Sequence, residues 1–73
     1  MISRACLVNK LREIGYVFVM RTKRTELYRK KGGMHRIPLT THSFFAEAYV
    51  FSVLTQCGLP RDEILSFIRA AAT

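Results

Sequence analysis

Two histidines, His35 and His42, are the only side chains in the sequence that can act as bases near neutral pH. His35 stands among Lys30, Lys31 and Arg36, where a phosphate can be held while the imidazole deprotonates a ribose 2′-hydroxyl. Neighbouring cations favour its neutral, base-competent form. His42 precedes an expected helix, whose unpaired amides and dipole attract anions. A surface or capping histidine is the plainer alternative at each position. Two histidines with a few distant acids make no metal site. The chain has no Walker loop, dinucleotide fingerprint, zinc-ligand spacing or nucleophile elbow. Neither a metal nor a cofactor is expected.

The stronger chemical signal is cationic. Of twelve Lys and Arg residues, seven fall between positions 21 and 36: Arg21, Lys23, Arg24, Arg29, Lys30, Lys31 and Arg36. Only Glu26 opposes them, so this stretch carries +6 of the chain's +7. Such a field attracts anions at long range. Phosphate binding is expected of these residues, with RNA favoured as the polyanion. An acidic protein partner and an anionic surface stay open, and basic side chains also keep sheet edges from pairing.

The elements that position these side chains follow from periodicity. Leu7, Leu11 and Ile14 recur at helical spacing from Ser3 to Ile14, with Ser3 as N-cap and Gly15 as the left-handed terminator. Tyr16–Met20 is β-branched and aromatic and reads as a strand. Thr25–Lys30 and Met34–Leu39 read as the next two strands, joined by a two-residue primed turn at Gly32-Gly33. That turn places Arg29 opposite Arg36 and Tyr28 opposite Ile37. A like-charge pair of this kind is mildly destabilising unless an anion sits between its members. Tyr28 is expected in the core or its rim, with stacking on an unpaired base as the alternative. Pro38 cannot donate to a ladder and belongs at an edge. Thr40 to Ser43 offer caps for an apolar helix over Phe44–Cys57, stopped by Gly58. A last helix starts around Pro60, with Ile64, Leu65, Phe67, Ile68 and Ala71 as its apolar face, and the terminal AAAT is expected to fray.

The 73 residues suit one α+β domain, helix-strand-strand-strand-helix with an additional C-terminal helix, over residues 1–73. Cys6 and Cys57 lie in apolar helical patterns and are expected to be buried, reduced thiols. The N-terminus lacks the apolar stretch of a signal peptide, and no apolar run approaches the ~20 residues needed to span a bilayer. A cytoplasmic protein with no membrane association is the expectation.

The order of features resembles the HicA (YcfA-like) family of bacterial toxins across essentially the whole chain. The residues concerned are Gly15-Tyr16, Leu27-Tyr28-Arg29, the glycine hairpin, Ile37-Pro38, a histidine before a helix, and Leu54-Thr55-Gln56-Cys57-Gly58-Leu59. The resemblance implies a double-stranded-RNA-binding-domain-like α-β-β-β-α fold. It also implies a metal-independent messenger-RNA endonuclease neutralised by a HicB antitoxin. The family's second strand opens with Gly-Ser-His or Gly-Gly-His, whose histidine is catalytic. Here Lys23, Arg24 and Thr25 occupy that motif, and Thr25 cannot serve as a base. The resemblance therefore implies RNA binding with cleavage impaired or lost, or an enzyme in which His35 has taken over. A basic module that binds an acidic protein, a HicB-like antitoxin among them, or that inhibits a nucleic-acid-binding enzyme, is the alternative.

Overall fold

A computed structural model describes residues 1–72. It is an α+β fold with a three-stranded antiparallel sheet and three helices among the described residues. The elements in chain order are β1 (Ile2–Ser3), α1 (Arg4–Glu13), β2 (Tyr16–Arg21), β3 (Thr25–Lys30), β4 (Arg36–Thr40), β5 (Phe44–Phe45), α2 (Glu47–Gln56) and α3 (Arg61–Ala71). None of these helices is long and apolar enough to cross a membrane.

The local signals around α1 act as expected. The Ser3 hydroxyl accepts from the Cys6 amide at 3.2 Å, and Gly15 takes φ +94° to leave the helix. The three long strands lie in the order β2-β3-β4, so β4 with Pro38 is an edge. Arg29 faces Arg36 and Tyr28 faces Ile37, the expected register.

The turn between them differs from expectation. Only Gly32 has positive φ, and Gly33 donates its N–H to the Lys30 carbonyl at 3.0 Å. A primed two-residue turn needs left-handed geometry that Gly33 does not adopt, so the bend centres on Lys31-Gly32 instead. The register survives because Lys30 still donates to the His35 carbonyl at 2.9 Å. The strand after the turn starts at Arg36 rather than Met34.

The start of the second helix is also corrected. Phe44-Phe45 is extended and pairs antiparallel with Ile2-Ser3, which buries Ile2 and Phe45. Helix α2 begins only at Glu47, behind Ala46, so none of Thr40 to Ser43 caps it. An apolar pair that finds a backbone partner is held as strand, although its composition suits the helix that follows. The Cys6 thiol is exposed, against expectation, because Leu7 and Leu11 define the buried face of α1. Cys57 is partly buried, and both thiols are free. Helix α3 runs through Ala71, so Ala70 and Ala71 are not frayed, while Thr73 lies outside the described residues.

Residues paired across antiparallel strands share a face. One face of the sheet holds Tyr16, Tyr28, Ile37 and Leu39, all buried with Leu7, Leu11, Val50, Leu54 and Ile64 of the helices. The opposite face carries Val17, Arg29 and Arg36 in one row and Met20, Leu27 and Pro38 in the next. Of these six, all but Leu27 are exposed.

Candidate nucleic-acid interface

The cations of the basic stretch separate by position. Arg29 and Arg36 are exposed neighbours on the open face. Lys31 stands in the hairpin turn beside them. Lys23 and Arg24 lie in the turn between β2 and β3, with Arg21 ending β2, at the far end of β3. The six residues of β3, with Arg29 among them, lie between Arg24 and Lys31, which puts those two ends roughly 20 Å apart at about 3.4 Å per residue. No single phosphate spans that distance.

Glu26, the one acid in the stretch, points to the helix side in the row of Arg21 and Leu39. It forms an ion pair with Arg4 and accepts from the Tyr28 hydroxyl at 3.0 Å. The Arg4 hydrogen bond holds its carboxyl below the usual range, against the opposing effect of burial, and Tyr28 assists. Arg4 also donates to the carbonyls of Thr40 and His42, tying the start of α1 to the end of β4. Among the described residues, no ion pair joins Lys23, Arg24, Arg29, Lys31 or Arg36 to an acid.

Lys30 has a different environment. Its ammonium donates to the Ile14 carbonyl at the end of α1 and lies 5.3 Å from the Tyr16 ring centroid. A cation there complements the negative end of the helix. Lys30 thus faces away from Arg29 and Arg36.

His35 follows Lys30. Its Nδ1 is 2.6 Å from the Tyr16 hydroxyl, on the helix side of the sheet. Burial, then the nearby Cys57 thiol, raises the Tyr16 phenol above its usual range and keeps it neutral. The structure therefore gathers His35, Tyr16, Lys30 and Cys57 in one corner. It does not bring His35 to the arginine pair, because successive residues of an extended chain alternate in side.

His42 lies elsewhere than expected. It is exposed and its Nδ1 is 3.1 Å from the Thr40 hydroxyl, five residues ahead of α2. Thr40 pairs with Thr25, on the side that also carries Arg29 and Arg36. The Thr41 amide donates to the Arg24 carbonyl at 3.3 Å. Thr25, Pro38 and Thr40 line a shallow cleft of about 250 Å³ against Tyr49, Ser52 and Gln56 of α2. Of the two histidines, His42 is the one on the cationic side. Strand parity carries this signal: Ile37 and Leu39 are buried, which puts His35 on their side and Thr40 on the other. Tyr28 is buried against the helices, so it presents no ring for base stacking.

No group of three or more His, Cys, Asp or Glu side chains among the described residues is placed to hold a metal. Compared with family models, curated proteins and solved structures, the chain matches none.

Proposed function

We propose that this chain is an RNA-binding domain, built like a double-stranded-RNA-binding domain and related to the HicA toxins, in which cleavage is impaired or lost. The observation that carries the proposal is the open face of the sheet. Arg29 and Arg36 stand there side by side, with Lys31 at one end and Lys23 and Arg24 at the other, all without acidic partners. Cationic ends roughly 20 Å apart, with Arg29 and Arg36 between them, fit an extended polyanion better than a lone anion.

Contacts of this kind are made to phosphate and 2′-hydroxyl groups and position the protein by shape rather than by sequence. Thr25 supplies a hydroxyl and no base at one end of the face, where His42 lies beside Thr40. The lack of a base at Thr25 itself favours binding without efficient cleavage. An acidic HicB-like protein would use the same cations.

Titration of a fluorescently labelled RNA duplex across salt concentrations tests the proposal. Affinity that falls steeply and linearly on a log–log salt plot, with an equimolar acidic protein such as a poly-glutamate fusion competing only weakly, is the expected result. A salt-independent or undetectable interaction would remove it.

A further inference from the structure

The two edges of the three-stranded sheet are treated differently. On β4, the pairing of Lys30 with the His35 carbonyl sets the alternation, so Arg36, Pro38 and Thr40 direct their backbone groups outward. Pro38 has no N–H to offer, and the Thr40 N–H donates to the Tyr49 hydroxyl at 3.1 Å. That edge is largely closed. On β2, Lys31 donates to the Gly15 carbonyl at 2.7 Å, so Val17 pairs with Arg29 and the backbone groups of Tyr16 and Phe18 turn away from β3. Neither amide has a hydrogen bond outside the sheet among the described residues.

The side chains along this open edge are apolar and uncovered: Val17 is 40% exposed, Phe18 52%, Val19 42% and Met20 49%. Val19 sits at a register shift and has no partner on β3. Edge strands are ordinarily protected by charge within the strand. Here the charge stands only at the ends, with Arg21, Lys23 and Arg24 at one and Lys31 at the other.

We propose that β2 is a docking edge for an extended, acidic segment of another protein, which adds to the sheet as a fourth strand. Main-chain hydrogen bonds to Tyr16 and Phe18 supply affinity, and alternate apolar side chains of the added strand cover Val17 and Met20. The end charges select the partner. Antiparallel pairing of two copies would set Arg21 of each against the Lys31 end of the other, and parallel pairing would set Arg21 beside Arg21. Like charges meet in both arrangements, which opposes self-association, whereas acidic residues flanking an apolar strand meet cations at both ends. The inference goes beyond RNA binding by using the main-chain edge of β2, while sharing Lys23, Arg24 and Lys31 with the proposed RNA contacts.

The test uses the whole chain without RNA and a synthetic peptide with a valine-rich centre flanked by glutamates at both ends. Binding by anisotropy, with slowed hydrogen exchange at the Phe18 amide, is the expected result. N-methylation of the peptide backbone on the pairing side, or replacement of its glutamates by lysines, should weaken binding by about tenfold or more. Val19→Glu, at a position outside the ladder, should also weaken it while leaving the circular dichroism spectrum unchanged. Should that variant not fold, the N-methylated peptide decides the matter on the wild-type chain. The proposal is overturned if N-methylation has no effect or if Phe18 exchange is unchanged. It is equally overturned if the protein forms a dilution-sensitive dimer through β2 in the absence of peptide.

Discussion

Arg29 and Arg36 stand directly opposite each other across β3 and β4, both exposed and neither with an acid within ion-pair reach. Facing like charges repel, so the pair costs a few tenths of a kcal/mol in the free protein. A phosphate between them reverses the sign of that interaction. The fold carries the cost on the side of the sheet that leaves both guanidinium groups open.

The double variant Arg29→Ala/Arg36→Ala should therefore separate stability from binding. Its thermal midpoint should equal or slightly exceed that of the wild type. Its affinity for RNA should drop uniformly across sequences, and the slope of log K against log salt should shrink by about 1.4 for single-stranded RNA. Thermal melts and salt titrations on the same preparation measure both. A loss of affinity confined to particular sequences would point to base recognition instead.

The histidines should separate as well. His42 lies beside Thr40 on the arginine side, whereas His35 is held by Tyr16 on the helix side. His42→Ala should weaken RNA binding, and His35→Ala should not. RNA incubated with wild-type protein, with or without EDTA, should stay intact on a denaturing gel. Cleavage that survives EDTA and disappears in His35→Ala would instead establish a nuclease centred on that residue. Tyr16→Phe should cost about 1 kcal/mol, through the lost hydrogen bond, without altering affinity.

How much of this was legible depended on range. The Ser3 cap, the Gly15 terminator and the Arg29–Arg36 register follow from neighbouring residues, and the structure keeps all three. The pairing of Ile2-Ser3 with Phe44-Phe45 joins segments some forty residues apart through only two residues each. Periodicity cannot register so short a ribbon, and Phe44-Phe45 merged with the apolar run of α2. The candidate site was half legible: the cations and their gathering at hairpin ends were evident, the turning of Lys30 to the other face was not. Lys30 shows why, since its role at the end of α1 depends on Ile14 and Tyr16, which strand pairing brings beside it.

The hairpin turn offers a sharp comparison between adjacent glycines. Gly32 has φ +78° and open space around a notional Cβ, so Gly32→Ala meets only conformational strain. That strain should cost about 1 kcal/mol and lower the midpoint by about 4–8 °C. Gly33 has no positive φ, and a Cβ there would make ordinary contact with Lys30 at 3.6 Å. Gly33→Ala should leave the midpoint nearly unchanged. A primed turn at Gly32-Gly33 would make both substitutions costly, so paired melts distinguish the two geometries.

The Arg4–Glu26 pair should make stability fall in acid. Glu26 has its carboxyl lowered in the fold by the Arg4 hydrogen bond, so its contribution is complete above the ordinary glutamate range. That contribution is lost as pH falls through the folded value. Glu26→Gln should cost about 1 kcal/mol at neutral pH, since the pair is only partly screened by solvent. Its midpoint should also change less than that of the wild type between neutral and acid pH. An equal acid slope in both proteins would assign the loss to other carboxylates.

The two cysteines should differ in reactivity, with a matching effect on alkaline stability. Cys6 is exposed on α1, while Cys57 is partly buried, and that burial raises its thiol above the usual range despite the Tyr16 hydrogen bond and the Lys30 charge. A thiol reagent under native conditions should therefore modify one cysteine quickly and the second slowly, the first identified as Cys6 by peptide mass. A raised thiol in the fold means that stability is fully present below the ordinary thiol range and is lost as pH rises through the folded value. Cys57→Ser should flatten this alkaline loss, and Cys6→Ser should not change it. Fast modification of both thiols in the folded protein would contradict the packing of Cys57 against Tyr16.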